Sequence, residues 1–206
     1  MKNVLILADG EFPAHIIPLR VLEGTGTIIC CDGAATKLIN YGIIPSAIVG
    51  DMDSLDPEMQ ERYKGLIHRD SDQETNDLTK AFEYSLTLKP DKIIILGATG
   101  AREDHTIGNI SLMSHYREKT NIELEMYTDN GRFIAIKSTA KTSLPVGSKV
   151  SIFSLDTDIK IVSEGLRYPL NNVIFDSWWK GTLNETTKES FTLSFSSGRV
   201  ILYIAY

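Results

Sequence analysis

Residues 27–51 read TIICCDGAATKLINYGIIPSAIVGD. The apolar run 27–31 closes on Asp32-Gly33, residues 35–41 carry a helical pattern that stops at Gly42, and a second apolar run, 47–49, closes on Gly50-Asp51. Short apolar runs flanking a helix read as a βαβ unit, whose strands are parallel and buried on both faces. The surrounding chain repeats this alternation. Strands are expected at 4–8, 66–68, 92–96, 123–127 and 132–136, and helices at 58–63, 76–88 and 106–119. In 76–88 the residues Leu78, Ala81, Phe82, Ser85 and Leu86 recur near the 3.6-residue period, and Pro90 closes the helix. Ligands bind beyond the carboxyl ends of such strands. Asp9-Gly10, Asp32-Gly33, Gly50-Asp51 and Gly97 all fall at those ends, which implies one shared rim.

The character changes across 137–149, a stretch rich in Ser, Thr and Lys that contains Pro145-Val146-Gly147. Helical patterns vanish beyond it, and 150–155, 159–162, 173–175, 191–195 and 200–205 read as strands. Phe191, Leu193 and Phe195 alternate with Thr192 and Ser194, as in a half-buried strand, and Ser196-Ser197-Gly198 suits a hairpin turn. The expected fold is α/β: a parallel-sheet α/β domain over 1–137, then an all-β sandwich or small barrel over 145–206.

Composition narrows the function. The chain has 206 residues, 42% apolar and 23% charged, with a net charge of −6. That is an ordinary globular balance. No Lys/Arg cluster of the kind that grips a nucleic-acid backbone is present. A phosphate substrate stays open, because a divalent cation can bridge carboxylates and phosphates. The run 4–8 is too short for a signal peptide, and no stretch approaches the ~18 apolar residues of a membrane span. Cys30 and Cys31 are adjacent and point to opposite faces of a strand, so they read as two buried thiols in a reducing, cytoplasmic setting.

Three constellations carry chemistry. In Gly50-Asp51-Met52-Asp53-Ser54, Asp51 and Asp53 lie two apart, so an extended segment points both the same way. Two carboxylates ~4 Å apart repel by roughly 4 kcal/mol at an effective dielectric near 20. A cation with oxygen ligands, such as magnesium, would offset that; the plain alternative is a solvated acidic turn. In Asp72-Gln73-Glu74-Thr75-Asn76-Asp77-Leu78-Thr79-Lys80, Asp77 and Lys80 share a helix face. They could hold metal and phosphate. Spacing alone favours ordinary capping, with Thr75 or Asn76 as N-cap and Lys80 on a wet surface. In the third, Gly97–Thr106, glycines allow close backbone approach, the helix N-terminus suits phosphate and Arg102 can fork onto it. Asp104 could be a metal ligand or a base there, or Asp104 or Thr106 a simple cap. His105 reads as structural. No Walker-type phosphate loop, dinucleotide fingerprint, His-Glu-x-x-His or Gly-x-Ser-x-Gly is present.

Taken together these blocks resemble the thiamine pyrophosphokinases. The likeness includes Asp32-Gly33-Ala34, Gly50–Ser54, Asp72–Lys80, the Gly-x-x-Gly-x-Arg-x-Asp-His block at Gly97–His105, Gly165-Leu166-Arg167-Tyr168-Pro169-Leu170 and Asn184-Glu185. It implies a nucleotide-binding α/β domain followed by a β-sandwich, in a homodimer with thiamine bound at the subunit interface. It implies attack of the thiamine hydroxyl on the β-phosphorus of ATP, giving thiamine diphosphate and AMP. By motif, Asp51, Asp53 and Asp77 would bind magnesium with Asp104 close by. Asp32, Gln73, Lys80, Arg102 and Thr106 would contact substrate or phosphates, and Asn184 would lie near thiamine. Two departures stand out: Leu183 occupies a position that is often Ser, and Trp178-Trp179 replaces a smaller or more polar stretch. One Trp ring, with Trp178 as the candidate, could stack on the cationic substrate; equally, the pair could sit on a sandwich strand with one ring inside and one out. Rival readings are a phosphatase with Asp51 as nucleophile and a catalytically inactive thiamine or nucleotide sensor.

Overall fold

The structure, a computed structural model, describes residues 1–206 and divides into two compact units: Met1–Asn109 with Ile122–Asp129, and Ile110–Asn121 with Asn130–Tyr206. The first unit runs β1 (Asn3–Leu7), α1 (Ile16–Gly24), β2 (Ile28–Cys31), α2 (Ala34–Tyr41), β3 (Ala47–Gly50), α3 (Pro57–Arg62), β4 (Ile67–Arg69), α4 (Asp77–Thr87), β5 (Lys92–Leu96), α5 (Glu103–Lys119) and β6 (Glu123–Tyr127). Residues 110–119 of α5 fall in the second unit. The strands lie in the order β6-β5-β1-β2-β3-β4, with parallel pairing throughout.

Register sets the rim. Leu7 pairs with Cys30 and Leu96, and Cys31 pairs with Val49. The last residues of β1, β2, β3 and β5 therefore end nearly level, and the residues after them share one edge. Beneath it, Leu5, Leu7, Cys30, Leu38, Ile48 and Leu96 pack in one core cluster. Each fully buried aliphatic side chain contributes roughly 1.5–3 kcal/mol relative to exposure. Gly42 ends α2 at φ 100°, where its N–H reaches the Leu38 and Ile39 carbonyls. A left-handed glycine is the usual stop for a helix.

Helix α1 is not among the helices expected from the sequence, and it contains a proline. Pro18 is the third helical residue, where the backbone N–H has no partner within the helix in any case. Helix α5 starts at Glu103, three residues before the expected 106.

The second unit continues with β7 (Gly131–Ile136), β8 (Ala140–Ser143), β9 (Lys149–Ser154), β10 (Val162–Glu164), β11 (Asn184–Glu185), β12 (Ser190–Ser194) and β13 (Val200–Ala205). Its pairing is antiparallel, in the orders β11-β9-β13-β7 and β10-β12-β8. Val150, Ile152, Phe175, Phe191, Leu193 and Leu202 form its core. Strand β8 lies in the stretch that reads as a linker, because its residues are polar and only half-buried. The expected strand 159–162 is displaced to Val162–Glu164. Residues 173–175 form no strand; Phe175 is a buried plug supplied by a loop. Trp178 and Trp179 lie in a 3₁₀ turn, Trp178–Gly181, and are 40% and 70% exposed. The one-in, one-out strand arrangement therefore does not occur. The turn is closed by Lys180 N–H donating to Ser177 and Thr182 N–H donating to Trp179. No helix is long and apolar enough to cross a membrane.

Candidate active site

The centre is built where β2 and β3 end. After Gly50 the chain turns through Met52, a buried non-glycine residue at φ 70°, in the sparsely used left-handed region. The turn brings Asp51 and Asp53 together. Asp51 Oδ1 accepts the Asp53 N–H at 3.1 Å, and Ser54 Oγ donates to Asp53 Oδ1 at 2.9 Å. Asp32 completes the group: one carboxylate oxygen from each of Asp32, Asp51 and Asp53 lies within 4.8 Å of the others.

Asp32 is 2% exposed. Its Oδ2 accepts the Ser54 N–H at 3.1 Å, while the buried Oδ1 has no hydrogen-bond partner. Burial pushes its carboxyl above the ordinary range, the Ser54 N–H partly offsets this, and the neighbouring Asp77, Asp53 and Asp51 charges push it further up. Asp51 is held below the ordinary range, first by the Asp53 N–H and then by Gln73. Gln73 Nε2 donates to Asp51 Oδ2 at 3.2 Å.

Asp77 opens α4, where the Asn76 side chain caps the Thr79 N–H. A Cβ at Gly50 would lie 3.0 Å from Asp32 Cβ and 3.2 Å from Asp77 Oδ1. Only glycine leaves both carboxylates where they are. Burial raises the Asp77 carboxyl, and Lys80 pulls it partly back. Lys80 is not on a wet surface: its side chain is 3% exposed, with Nζ 3.4 Å from Asp77 Oδ1. The position faces the sheet, and Lys80 lies among the buried residues of α4.

The loop after β5 forms the opposite wall. Gly10 N–H donates to the Gly97 carbonyl at 2.6 Å and Glu11 N–H to the Thr99 carbonyl at 2.9 Å. Gly97 sits at φ 66°, and a Cβ there would collide with the Ala8 carbonyl. Arg102 holds Asp104 through two hydrogen bonds, Nη2 to Oδ2 at 2.6 Å and Nε to Oδ1 at 3.1 Å. Arg102 thereby keeps the exposed Asp104 carboxyl low. An open cavity of about 360 Å³ is lined by Asp32, Asp77, Thr99, Arg102, His105 and Thr106, among others. His105, read as structural, thus faces the cavity from the first turn of α5. Lys37 went unnoticed in the sequence: its ammonium binds Asp9 Oδ1 at 2.8 Å and the Asp9 and Gly10 carbonyls at 3.1 and 2.8 Å.

In the second unit Asn184 is buried, and both its amide oxygen and its amide nitrogen are engaged. Oδ1 accepts the Tyr168 and Glu185 N–H groups, and Nδ2 donates to the Tyr168 carbonyl at 2.7 Å. Trp178 packs edge-on to Phe153 at 6.2 Å. Leu183 is at φ 57° and 85% exposed. Lys149 and Arg167 both pair with Glu185.

An α/β sheet with oxygen-only acidic ligands gathered at its carboxyl edge, beside a glycine loop that opens a helix, defines a phosphate-handling enzyme class. Known proteins sharpen this. The family described as "Thiamin pyrophosphokinase, catalytic domain" matches residues 19–126, and "Thiamin pyrophosphokinase, substrate-binding domain" matches 131–203. Thiamine pyrophosphokinase of Bacillus subtilis (strain 168) is 30% identical over 215 residues, covering 98% of each chain. A crystal structure of thiamine pyrophosphokinase from Bacillus subtilis matches at TM-score 0.82 with 26% identity, over 99% of both chains. Thiamin pyrophosphokinase from Candida albicans shares the fold at TM-score 0.80 and 21% identity, over 99% of this chain and 89% of that one. The chain belongs to the thiamin pyrophosphokinase family.

Proposed function

We propose that this protein is a magnesium-dependent thiamine pyrophosphokinase, moving the pyrophosphoryl group of ATP to the hydroxyl of thiamine. The observation that carries the reading is the trio Asp32, Asp51 and Asp53 at the carboxyl edge of the sheet, in a chain of this family. The trio fits magnesium: every donor is oxygen, and the buried Asp32 Oδ1 lacks a partner that a cation would supply. Asp32, Asp51 and Asp53 would hold the ion, with Asp77 beside them. Bound magnesium would neutralise charge on the phosphate oxygens.

In the reaction the thiamine hydroxyl oxygen bonds to the β-phosphorus, the bond from that phosphorus to the α-phosphate oxygen breaks, and AMP leaves. Asp77, at the start of α4 beside the trio, is the proposed acceptor for the hydroxyl proton; burial raises its carboxyl in the cation-free protein. Asp104, paired with Arg102 and held low by it in the free protein, is the alternative acceptor. Arg102 would exchange Asp104 for phosphate oxygens when ATP binds. Lys80 pairs with Asp77 and pulls its carboxyl down. Gln73 orients Asp51, and Thr106 supports phosphate at the start of α5.

The division of labour follows the chain, with catalysis in 1–137 and thiamine recognition in 145–206. There Trp178 would stack on the cationic ring, and Asn184 would act by fixing the Tyr168 loop. A homodimer would give the exposed apolar side chains of Ile174, Trp179 and Leu183 a surface to cover. Free, buried Cys30 and Cys31 support a cytoplasmic setting. The phosphatase and inactive-sensor readings are disfavoured by the family match over both parts of the chain.

The test incubates protein with thiamine, ATP and magnesium and resolves the products by chromatography. Equal AMP and thiamine diphosphate, abolished by chelator, is expected. Inorganic phosphate or ADP in their place would overturn the reading.

A further inference from the structure

Between Asp51 and Asp53, Met52 is held in a left-handed conformation that a methionine rarely adopts. Something outside the turn must hold it. Gln60, on α3, donates its side-chain N–H groups to the Met52 carbonyl at 2.9 Å and the Leu55 carbonyl at 2.8 Å. Its Oε1 in turn accepts from Arg69 Nη2 at 2.9 Å. Arg69, at the end of β4, also donates Nη1 to the Asp51 carbonyl at 2.6 Å. The two side chains thus grip three carbonyls of the Asp51–Leu55 turn and brace each other. Backbone pairing extends the grip, since Arg69 lies opposite Gly50 and the Asp70 N–H donates to the Gly50 carbonyl at 2.8 Å.

We propose that Gln60 and Arg69 form a clamp that sets the spacing of the Asp51 and Asp53 carboxylates, and so act as positioning residues for the cation the acidic trio holds. The proposal rests on the magnesium-dependent reading above. Neither side chain carries a carboxylate to the trio; each acts through the backbone that carries those carboxylates. Arg69 places its charge on the carbonyl side of the turn, where a guanidinium can bind oxygen without competing for the carboxylates themselves. Outer partners of metal ligands commonly change metal affinity by about 10–100-fold when removed.

The test is a magnesium titration of thermal unfolding, without substrates, on wild type and the variants Gln60→Leu, Gln60→Glu and Arg69→Lys. Glu61→Gln, on the same helix and paired only with Lys64, is the control. Wild type and control should share one magnesium midpoint. Gln60→Leu should need about tenfold more magnesium. Gln60→Glu keeps length and the Arg69 contact but loses both donors, so it should fail as badly. Arg69→Lys, which keeps Gln60, should be shifted less. A lower melting temperature with an unchanged magnesium midpoint in the Gln60 variants means a merely structural role and overturns the clamp. Wild type lacking any magnesium response overturns it too. Product analysis runs beside the titration. Wild type that binds magnesium yet makes no thiamine diphosphate would defeat the functional reading and leave the clamp standing. Normal products with an unshifted Gln60→Leu midpoint would do the reverse.

Discussion

Asp32→Asn gives the sharpest test of the acidic centre. Asp32 is buried with one oxygen unpartnered and three other aspartates around it. Its raised carboxyl means that the folded, cation-free protein holds a proton more tightly than the unfolded chain does. The contribution of this one group to stability is therefore greatest below the unfolded pKa of about 3.9. It falls as pH rises from there to the raised folded value, and stays reduced at neutral pH. An asparagine removes the charge, keeps an oxygen for the Ser54 N–H and offers N–H groups to the remaining carboxylates. Leaving a buried acceptor unsatisfied costs about 1–3 kcal/mol, more when it is charged. Each kcal/mol shifts melting by about 2–4 °C in a chain of this size. In chelator at pH 7 the variant should therefore melt several degrees above wild type. Magnesium should reverse the order. A ligand at a hundred times its Kd adds about 2.7 kcal/mol, which wild type gains and the variant largely forgoes, together with turnover. Calorimetry at pH 7, with and without magnesium, reads both effects. A variant that melts below wild type in chelator, or that gains the full magnesium shift, refutes the reasoning.

Asp53→Asn should lose most turnover while melting in chelator within a few degrees of wild type; near-normal thiamine diphosphate formation would remove Asp53 from the centre. Gly97→Ala forces a side chain into a left-handed position and against the Ala8 carbonyl, and should cost at least about 2 kcal/mol in urea unfolding. Arg199 donates Nε, Nη2 and its backbone N–H to Asp156, holding that carboxyl low. Asp156→Asn should cost about 1 kcal/mol at pH 7, a figure kept modest because the pair is part-exposed. Asp156 contributes stability above its unfolded pKa and loses it as pH falls through its lowered folded value, so the gap between variant and wild type should close in acid, below about pH 4.

Much of the first unit was legible because a strand buried on both faces leaves a continuous apolar run. The runs 27–31 and 47–49 fall on β2 and β3 within a residue, and Asp32 and Asp51 fall just past their ends. The second unit was harder. Strand β8 is polar and half-buried, so its pairing with β12 leaves no apolar alternation to read. Phe175 looked like part of a strand because a buried aromatic in a loop has the same local composition as one in a sheet.

The sequence by itself determined the fold class, the rim of the sheet and the aspartates on it, since period, turn residues and chain order are local properties. Only tertiary structure decided which of those aspartates meet. Asp32 joins Asp51 and Asp53 because parallel register sets Cys31 beside Val49. Lys80 is buried against Asp77 instead of solvated, because α4 turns that face to the sheet. The Gln60–Arg69 clamp joins α3 to β4 across a turn that neither touches in sequence. Those are distances between elements, and a pattern of residue types along one chain does not encode them locally.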